Sequence, residues 1–237
     1  MDGGFSIREN IAAVRERIGR AAQRAGRDPS EIRLVAVSKT KPAELIREAY
    51  GAGLTVFGEN YAQELIAKID AEPLAGLPGI EWHMIGHVQT NKVKTLTGKT
   101  ALIQSLDSMR LAAEIQKQAE KASARADVLI EVNVAGEKDK FGFSVEETAG
   151  AVRQIAAFGN VRILGLMTSA PLTADPESNR MYFRQLRELY IDIRNKRIDN
   201  THMRILSMGM SGDFEVAIEE GSTMLRIGTL IFGKRAV

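Results

Sequence analysis

Ile7, Ile11, Val14, Ile18, Ala22 and Ala25 recur at intervals of three and four residues, the spacing of one apolar face on a helix. Ser6 with Glu9 three positions on has the form of a capping box, and Gly26 stands where such a helix should stop. The pattern predicts a helix over about residues 6–26. Downstream the period changes. Short runs rich in β-branched and other large apolar residues appear at 32–37, 54–57, 81–85, 101–106, 127–134, 161–167, 203–207 and 224–227. Helical stretches with recognisable starts separate them. Pro42 suits a first helical position, Asn60 is placed to cap the helix through Leu65 and Ile69, and Asp107 or Ser108 precedes a helix over 111–119. Ser144 and Glu147 form a second capping box, Asp175-Pro176 opens a helix over 177–193, and Gly221 ends one over 214–220.

Eight strands alternating with helices predict an α/β fold, a parallel sheet closed into a (β/α)8 TIM-type barrel with an additional N-terminal helix. The barrel should occupy about residues 32–233 of one domain spanning 1–237. The alternative is an open doubly wound sheet, which usually carries G-x-G-x-x-G after its first strand. Here that strand runs into Val37-Ser38-Lys39-Thr40-Lys41-Pro42, without a glycine. No linker or low-complexity tract divides the chain.

Composition narrows the function. With 237 residues and 44% hydrophobic content the chain can bury one sizeable core. Its 32 Lys and Arg against 30 Asp and Glu leave a net charge of +2, no footprint for nucleic acid or an anionic membrane. Arg15, Arg17, Arg20, Arg24 and Arg27 on the first helix are accordingly read as a solvated face. The absence of cysteine excludes disulfides, thiol catalysis and thiolate metal sites. His83, His87 and His202 lack metal-binding spacing, so no metal site is expected. Charges at Arg8, Glu9, Arg15 and Glu16 interrupt the first apolar residues, so neither a signal peptide nor a membrane span is expected. The expectation is a soluble cytoplasmic protein.

In a barrel of this kind, chemistry gathers on the loops after the C-terminal ends of the strands. Lys39, Asn60, Gly86, His87, Asp107, Lys140, Thr168, the 207–212 segment and Gly228-Thr229 fall there. The loops after strands seven and eight, Ser207-Met208-Gly209-Met210-Ser211-Gly212-Asp213 and Arg226-Ile227-Gly228-Thr229, combine glycines with hydroxyls, as a phosphate cradle does. Ordinary glycine turns with a capping serine would look the same. Lys39 shares a strand parity with Val35 and Val37 and can point across the barrel mouth, where a desolvated amine is able to attack a carbonyl. A solvated lysine past the strand end is the competing reading, with Lys41 as the rival amine. Arg226, on the parity of Met224 and Gly228, needs a partner if it faces inward, and Glu59 or Glu131 would serve in an internal ion pair. Lysine, phosphate cradle and arginine together describe a site for a phosphorylated carbonyl compound. A Schiff-base aldolase and a binder of pyridoxal phosphate both satisfy that description.

Six ordered motifs carry a resemblance that covers nearly the whole chain. They are Val35-Ala36-Val37-Ser38-Lys39-Thr40, Phe57-Gly58-Glu59-Asn60-Tyr61, and Trp82-His83-Met84-Ile85-Gly86 with Gln89-x-Asn91-Lys92. Gly165-Leu166-Met167, Leu206-Ser207-Met208-Gly209-Met210-Ser211-x-Asp213 and Arg226-Ile227-Gly228-Thr229-x-x-Phe232-Gly233 complete the set. In these the chain resembles the pyridoxal phosphate homeostasis proteins, barrels similar to the N-terminal domain of alanine racemase. The resemblance implies pyridoxal 5′-phosphate as cofactor, joined as a Schiff base to Lys39, with Ser207, Met210, Ser211, Gly228 and Thr229 around the phosphate. It implies Asn60 and Met84 bordering the cofactor and Arg226 facing the pyridine nitrogen. An arginine there leaves that nitrogen unprotonated and the ring a poor electron sink. A racemase of this fold also takes a second acid/base from a further C-terminal domain, which is not expected in a chain ending at Val237.

The function expected is therefore a carrier or buffer of the cofactor in the cell, without substantial turnover. A racemase-like pyridoxal enzyme is the alternative. Its partners would be the cofactor and, transiently, apoenzymes that use it, with no nucleic acid or membrane, and the chain is expected to be a monomer. Lys140, in the loop Lys138-Asp139-Lys140-Phe141-Gly142-Phe143, is read as a solvent-facing lysine, and Tyr61 as packed in its helix.

Overall fold

The computed structural model describes residues 6–234; the expectation about the end of the chain at Val237 lies outside the described residues. The apolar face of the first stretch folds as α1 (Ile7–Arg24), whose buried side are Ile7, Ile11, Val14, Ile18, Ala21 and Ala22. The Ser6 side chain accepts from the Glu9 amide, and Gly26 follows the helix at φ 65°.

Eight parallel strands close the barrel in sequence order. They are β1 (Arg33–Val37), β2 (Val56–Glu59), β3 (Glu81–Met84), β4 (Leu102–Leu106), β5 (Ala126–Glu131), β6 (Val161–Met167), β7 (Thr201–Ser207) and β8 (Met224–Ile227). Between them run α2 (Ala43–Gly51), α3 (Ala62–Ile69), α4 (Val93–Leu96), α5 (Met109–Lys121), α6 (Val145–Ala156), α7 (Arg180–Asn195) and α8 (Phe214–Glu219), and α9 (Thr229–Phe232) follows β8. The barrel expected from the strand count is the one observed.

Period-2 alternation divides the apolar residues into two layers. Val35, Val56, Leu102, Leu129, Leu164, Met167 and Met224 form one cluster, the filling of the barrel. Ala36, Phe57, Trp82, Ile103, Ile130, Leu166 and Ile227 belong to the other, between strands and helices. Register shifts in the β4–β5, β5–β6 and β6–β7 pairings interrupt the alternation on that side of the barrel.

Several helix starts differ from expectation. Asn60 does not cap α3; Tyr61 occupies the N-cap without a side-chain bond and is 63% exposed rather than packed. Pro42 is the N-cap of α2 instead of its first residue. Asp175 caps a 3-10 turn, Pro176–Asn179, that precedes α7. Ser144 and Glu147 make the full capping box expected of them. The arginines of α1 are also more than a solvated face. Arg17 binds Glu215 at 3.2 Å and lies 4.6 Å from the Phe214 ring centroid, and Arg24 binds Glu219 at 2.9 Å. Arg27 donates to the carbonyls of Ile218 and Ser222, and Arg15 to that of Gly53. These bonds pin α1 across the seam where β8 meets β1.

Candidate functional site

Closure of the barrel brings its first and last strands together. The register Val35↔Arg226 and Ala36↔Ile227 sets the ends of β1 and β8 side by side. A Cβ at Gly228 would meet the Val37 carbonyl oxygen at 3.1 Å and Val37 Cβ at 3.3 Å, so glycine there lets the two segments close. At this end lies a cavity of about 650 Å³. Lys39, Asn60, Met210, Ser211, Arg226, Gly228 and Thr229 all line it, with Ile85, Glu131 and Met167 among its other walls.

Two of the sequence-predicted site residues do not reach it. Met84 shares the parity of Trp82 and is fully buried in the outer layer between strands and helices. Its neighbours on the opposite parity, His83 and Ile85, take the inward positions, and Ile85 lines the cavity. Ser207 is fully buried beneath the floor. Its hydroxyl donates to Gln104 Oε1 at 2.7 Å and accepts from Arg226 Nη1 at 2.6 Å, which uses its only proton.

The two lysines differ in placement, and Lys39 is the one on the cavity wall. Lys41 Nζ donates to the Lys234 carbonyl at 3.0 Å and lines no part of the cavity. Lys39 sits in a tight turn closed by the Lys41 amide donating to the Ser38 carbonyl at 3.0 Å. Thr40 in that turn has φ 64°, a left-handed conformation that costs a non-glycine residue about 1–3 kcal/mol unless its surroundings fix it.

The loop after β7 is held by its own side chains. Asp213 Oδ1 accepts the Met210 amide at 2.7 Å, and Asp213 Oδ2 accepts Asn179 Nδ2 at 2.8 Å. Gly209 at φ 94° has no room for a Cβ, which would lie 2.6 Å from Ala217 Cβ. The Gly228 amide donates to Ser211 Oγ at 3.3 Å, tying the two candidate phosphate loops to one another.

Arg226 is buried under the cavity. Nη1 donates to Ser207 Oγ and Nη2 to the Thr168 carbonyl at 2.7 Å. The expected ion pair is corrected accordingly. Glu59 is bound by Lys68 at 2.7 Å, and Glu131 acts on Arg226 through its charge rather than by contact. Burial pulls the Arg226 guanidinium down to about 10, against the pull of Glu131 and Asp213. Burial pushes the Glu131 carboxyl up to about 7, helped by Asp107 and opposed by Arg226. Its Oε2 is enclosed and has no hydrogen-bond partner among the described residues.

At the rim His87 contacts Asp107 through Nδ1 at 2.5 Å and stacks on Phe141, ring centroids 3.7 Å apart. Lys140 is bound to Glu137 at 2.5 Å and lines neighbouring concavities instead of this one. Sequence reasoning gave no role to Asp213 or Gln104. Asp213 stood inside a quoted motif, and Gln104 was a lone amide in an apolar strand; each was a usable signal.

Residues 9–236 match the family model described as "Alanine racemase, N-terminal domain". A pyridoxal phosphate homeostasis protein of Aquifex aeolicus (strain VF5) is 51% identical over 227 residues, 96% of this chain and 97% of that one. Another of that name from Pseudomonas aeruginosa is 43% identical over 230 residues, 97% of this chain and 96% of its own. PipY of Synechococcus elongatus PCC7942, solved with PLP bound, superposes at a TM-score of 0.83 with 32% identity, covering 96% of this chain and 100% of PipY. With a barrel of this topology, an amine and two glycine-hydroxyl loops on one cavity, and identities of this extent, the chain belongs to the pyridoxal phosphate homeostasis protein family.

Proposed function

We propose that this protein binds pyridoxal 5′-phosphate in the 650 Å³ cavity and acts as a carrier or buffer of the cofactor in the cytoplasm, without substantial turnover. The observation that carries the reading is convergence. Lys39 from the β1 turn and the Met210–Ser211 and Gly228–Thr229 loops line one chamber above the buried Arg226.

The chamber suits the group chemically. Ser211 and Thr229 offer hydroxyls, and Gly228 leaves the backbone bare beside Val37, so an anion can approach main-chain donors closely. Both carboxylate oxygens of Asp213 are occupied by Met210 and Asn179, which turns its charge toward ordering the loop. When bound, the cofactor supplies an aldehyde on an electron-withdrawing ring. Lys39 would hold the group through its amine, a nucleophile suited to a carbonyl. Asn60 and Ile85 border the ring, and Ser207 acts from below by holding Arg226.

Arg226 sets the limit on chemistry. With its pKa near 10 it keeps its proton at neutral pH and would meet the ring nitrogen as a donor that gives up no proton. The ring then stabilises negative charge poorly, and carbon-acid chemistry is slow. The partners fitting this role are the cofactor and, transiently, apoenzymes that receive it, with the protein itself a monomer.

Borohydride treatment of the protein loaded with pyridoxal phosphate, followed by intact mass and peptide mapping, tests the reading. One phosphopyridoxyl adduct on Lys39 is expected, and Lys39→Ala should abolish both the adduct and the visible absorption. An adduct on another lysine would overturn the assignment. Steady racemisation of single L-amino acids, followed by chiral chromatography, would overturn the non-catalytic role.

A further inference from the structure

Lys39 is flanked by two residues tied to a charge cluster that the cavity does not contain. Lys68, on α3 and 7% exposed, points its ammonium at three acceptors, each at 2.7 Å. They are the Ser38 carbonyl, Glu59 Oε1 and Glu64 Oε1, which together use all three ammonium protons. The same carboxylate oxygens reach back to the turn. Ser38 Oγ donates to Glu59 Oε1 at 2.6 Å, and the Thr40 amide donates to Glu64 Oε1 at 2.6 Å. The residue before Lys39 is thus held through its carbonyl and its hydroxyl, and the residue after it through its amide.

A clamp of this kind exceeds what strand β1 needs to end. The strained backbone at Thr40 persists only where its surroundings fix it, and the Thr40–Glu64–Lys68 bonds are what fix it. A fully buried carboxylate and a buried ammonium are also costly to hold: the ammonium has all three protons bonded, whereas Glu59 is held through Oε1 alone and its enclosed Oε2 has no partner among the described residues. Burial pushes the Glu59 carboxyl upward, and Lys68 is the largest influence opposing that shift. Lys68 is therefore the group that joins Ser38, Glu59 and Glu64 and holds the turn in place.

We propose that Lys68 is a positioning residue for Lys39: its ammonium, through Ser38, Glu59 and Glu64, fixes the 38–41 turn so that the Lys39 amine meets the cofactor aldehyde. The inference rests on the reading of Lys39 as the Schiff-base lysine. It predicts a split between two ligands that share ring and phosphate. Pyridoxine 5′-phosphate has an alcohol where pyridoxal phosphate has the aldehyde, so it reports the cradle alone.

Lys68→Met keeps the stem and removes the donors. Its affinity for pyridoxine phosphate should stay within about twofold of wild type. Its affinity for pyridoxal phosphate, and the rate at which the visible absorption rises, should each fall about tenfold or more, as loss of a charge-assisted hydrogen bond allows. Should Lys68→Met fail to fold, Glu64→Ala removes the partly exposed arm of the clamp, leaves the Lys68–Glu59 pair intact, and should show the same split at smaller size. Parallel weakening of both ligands, or no change in either, would overturn the proposal. A chromophore that survives Lys39→Ala would overturn the underlying reading, and this inference with it, and is distinguishable because it needs no change at Lys68.

Discussion

Glu131→Gln should stabilise the protein more at pH 8 than at pH 5. The carboxyl stands at the end of β5 with one oxygen enclosed and unbonded, and its pKa is pushed from 4.5 up to about 7, burial first and Asp107 second. An acid whose pKa is higher in the folded state binds its proton more tightly there than when unfolded. Its ionisation therefore opposes folding: the penalty is absent well below pH 4.5, grows as pH rises, and is complete above about 7. The shift of about 2.5 units corresponds to about 3.4 kcal/mol at 1.36 kcal/mol per unit. At pH 5 part of that penalty is already present, because the unfolded carboxyl is largely ionised. The side chain is half-buried and lines the open cavity, so screening reduces the remainder. The amide substitution should therefore gain about 1–2 kcal/mol more at pH 8 than at pH 5. Urea denaturation at the two pH values, wild type beside variant and without cofactor, measures the double difference. An equal effect at both pH values, or a larger gain at pH 5, would refute the electrostatic account and leave only packing.

Gly209→Ala combines a left-handed φ with a Cβ 2.6 Å from Ala217 Cβ. It should cost about 2–4 kcal/mol by urea titration and weaken phosphate binding, since the loop must shift. An unchanged midpoint would show that the loop adapts freely. Arg226→Met should leave Ser207 Oγ and the Thr168 carbonyl without their donor, with a loss of about 2–4 kcal/mol; a neutral or stabilising result would count against the network.

How far the sequence reveals the fold depends on where local signals are strong. β6 and β8 appear at the boundaries their apolar runs define, Val161–Met167 and Met224–Ile227, because polar or glycine residues bound both runs. The parity argument placed Arg226 beneath the cavity and Lys39 on its wall, since β1 and β8 pair in regular register. Met84 entered only through the motif resemblance; in the structure it lies with Trp82 in the outer layer, on the opposite parity from Ile85 at the cavity. Ser207 lies beneath the cavity for a reason its own loop does not show. Its role depends on Gln104, more than a hundred positions away, and no local pattern encodes that pairing. The same holds for Lys68, which in sequence is one more charged residue on an amphipathic helix. The bonds of Arg17, Arg24 and Arg27 arise only because barrel closure brings α1 against α8.

The polar residues under the cavity form a chain with a fixed direction. Arg226 can only donate, so Ser207 Oγ must accept from it and turn its own proton to Gln104 Oε1. The Gln104 amide is thereby oriented, and its Nε2 donates to His83 Nδ1 at 2.9 Å. His83 must then be neutral with its proton on Nε2, which agrees with burial, aided by Arg33, pulling its pKa down to about 3. With the Gln104 amide in this orientation, a donor-only residue at one end and a neutral imidazole at the other leave one arrangement of the protons between them. Arg226 and His83 keep their charge states across the physiological pH range, while Glu131 on the cavity wall, raised to about 7, titrates within it. A floor that binds through fixed donors suits the proposed carrier role better than one that must pass protons to its ligand.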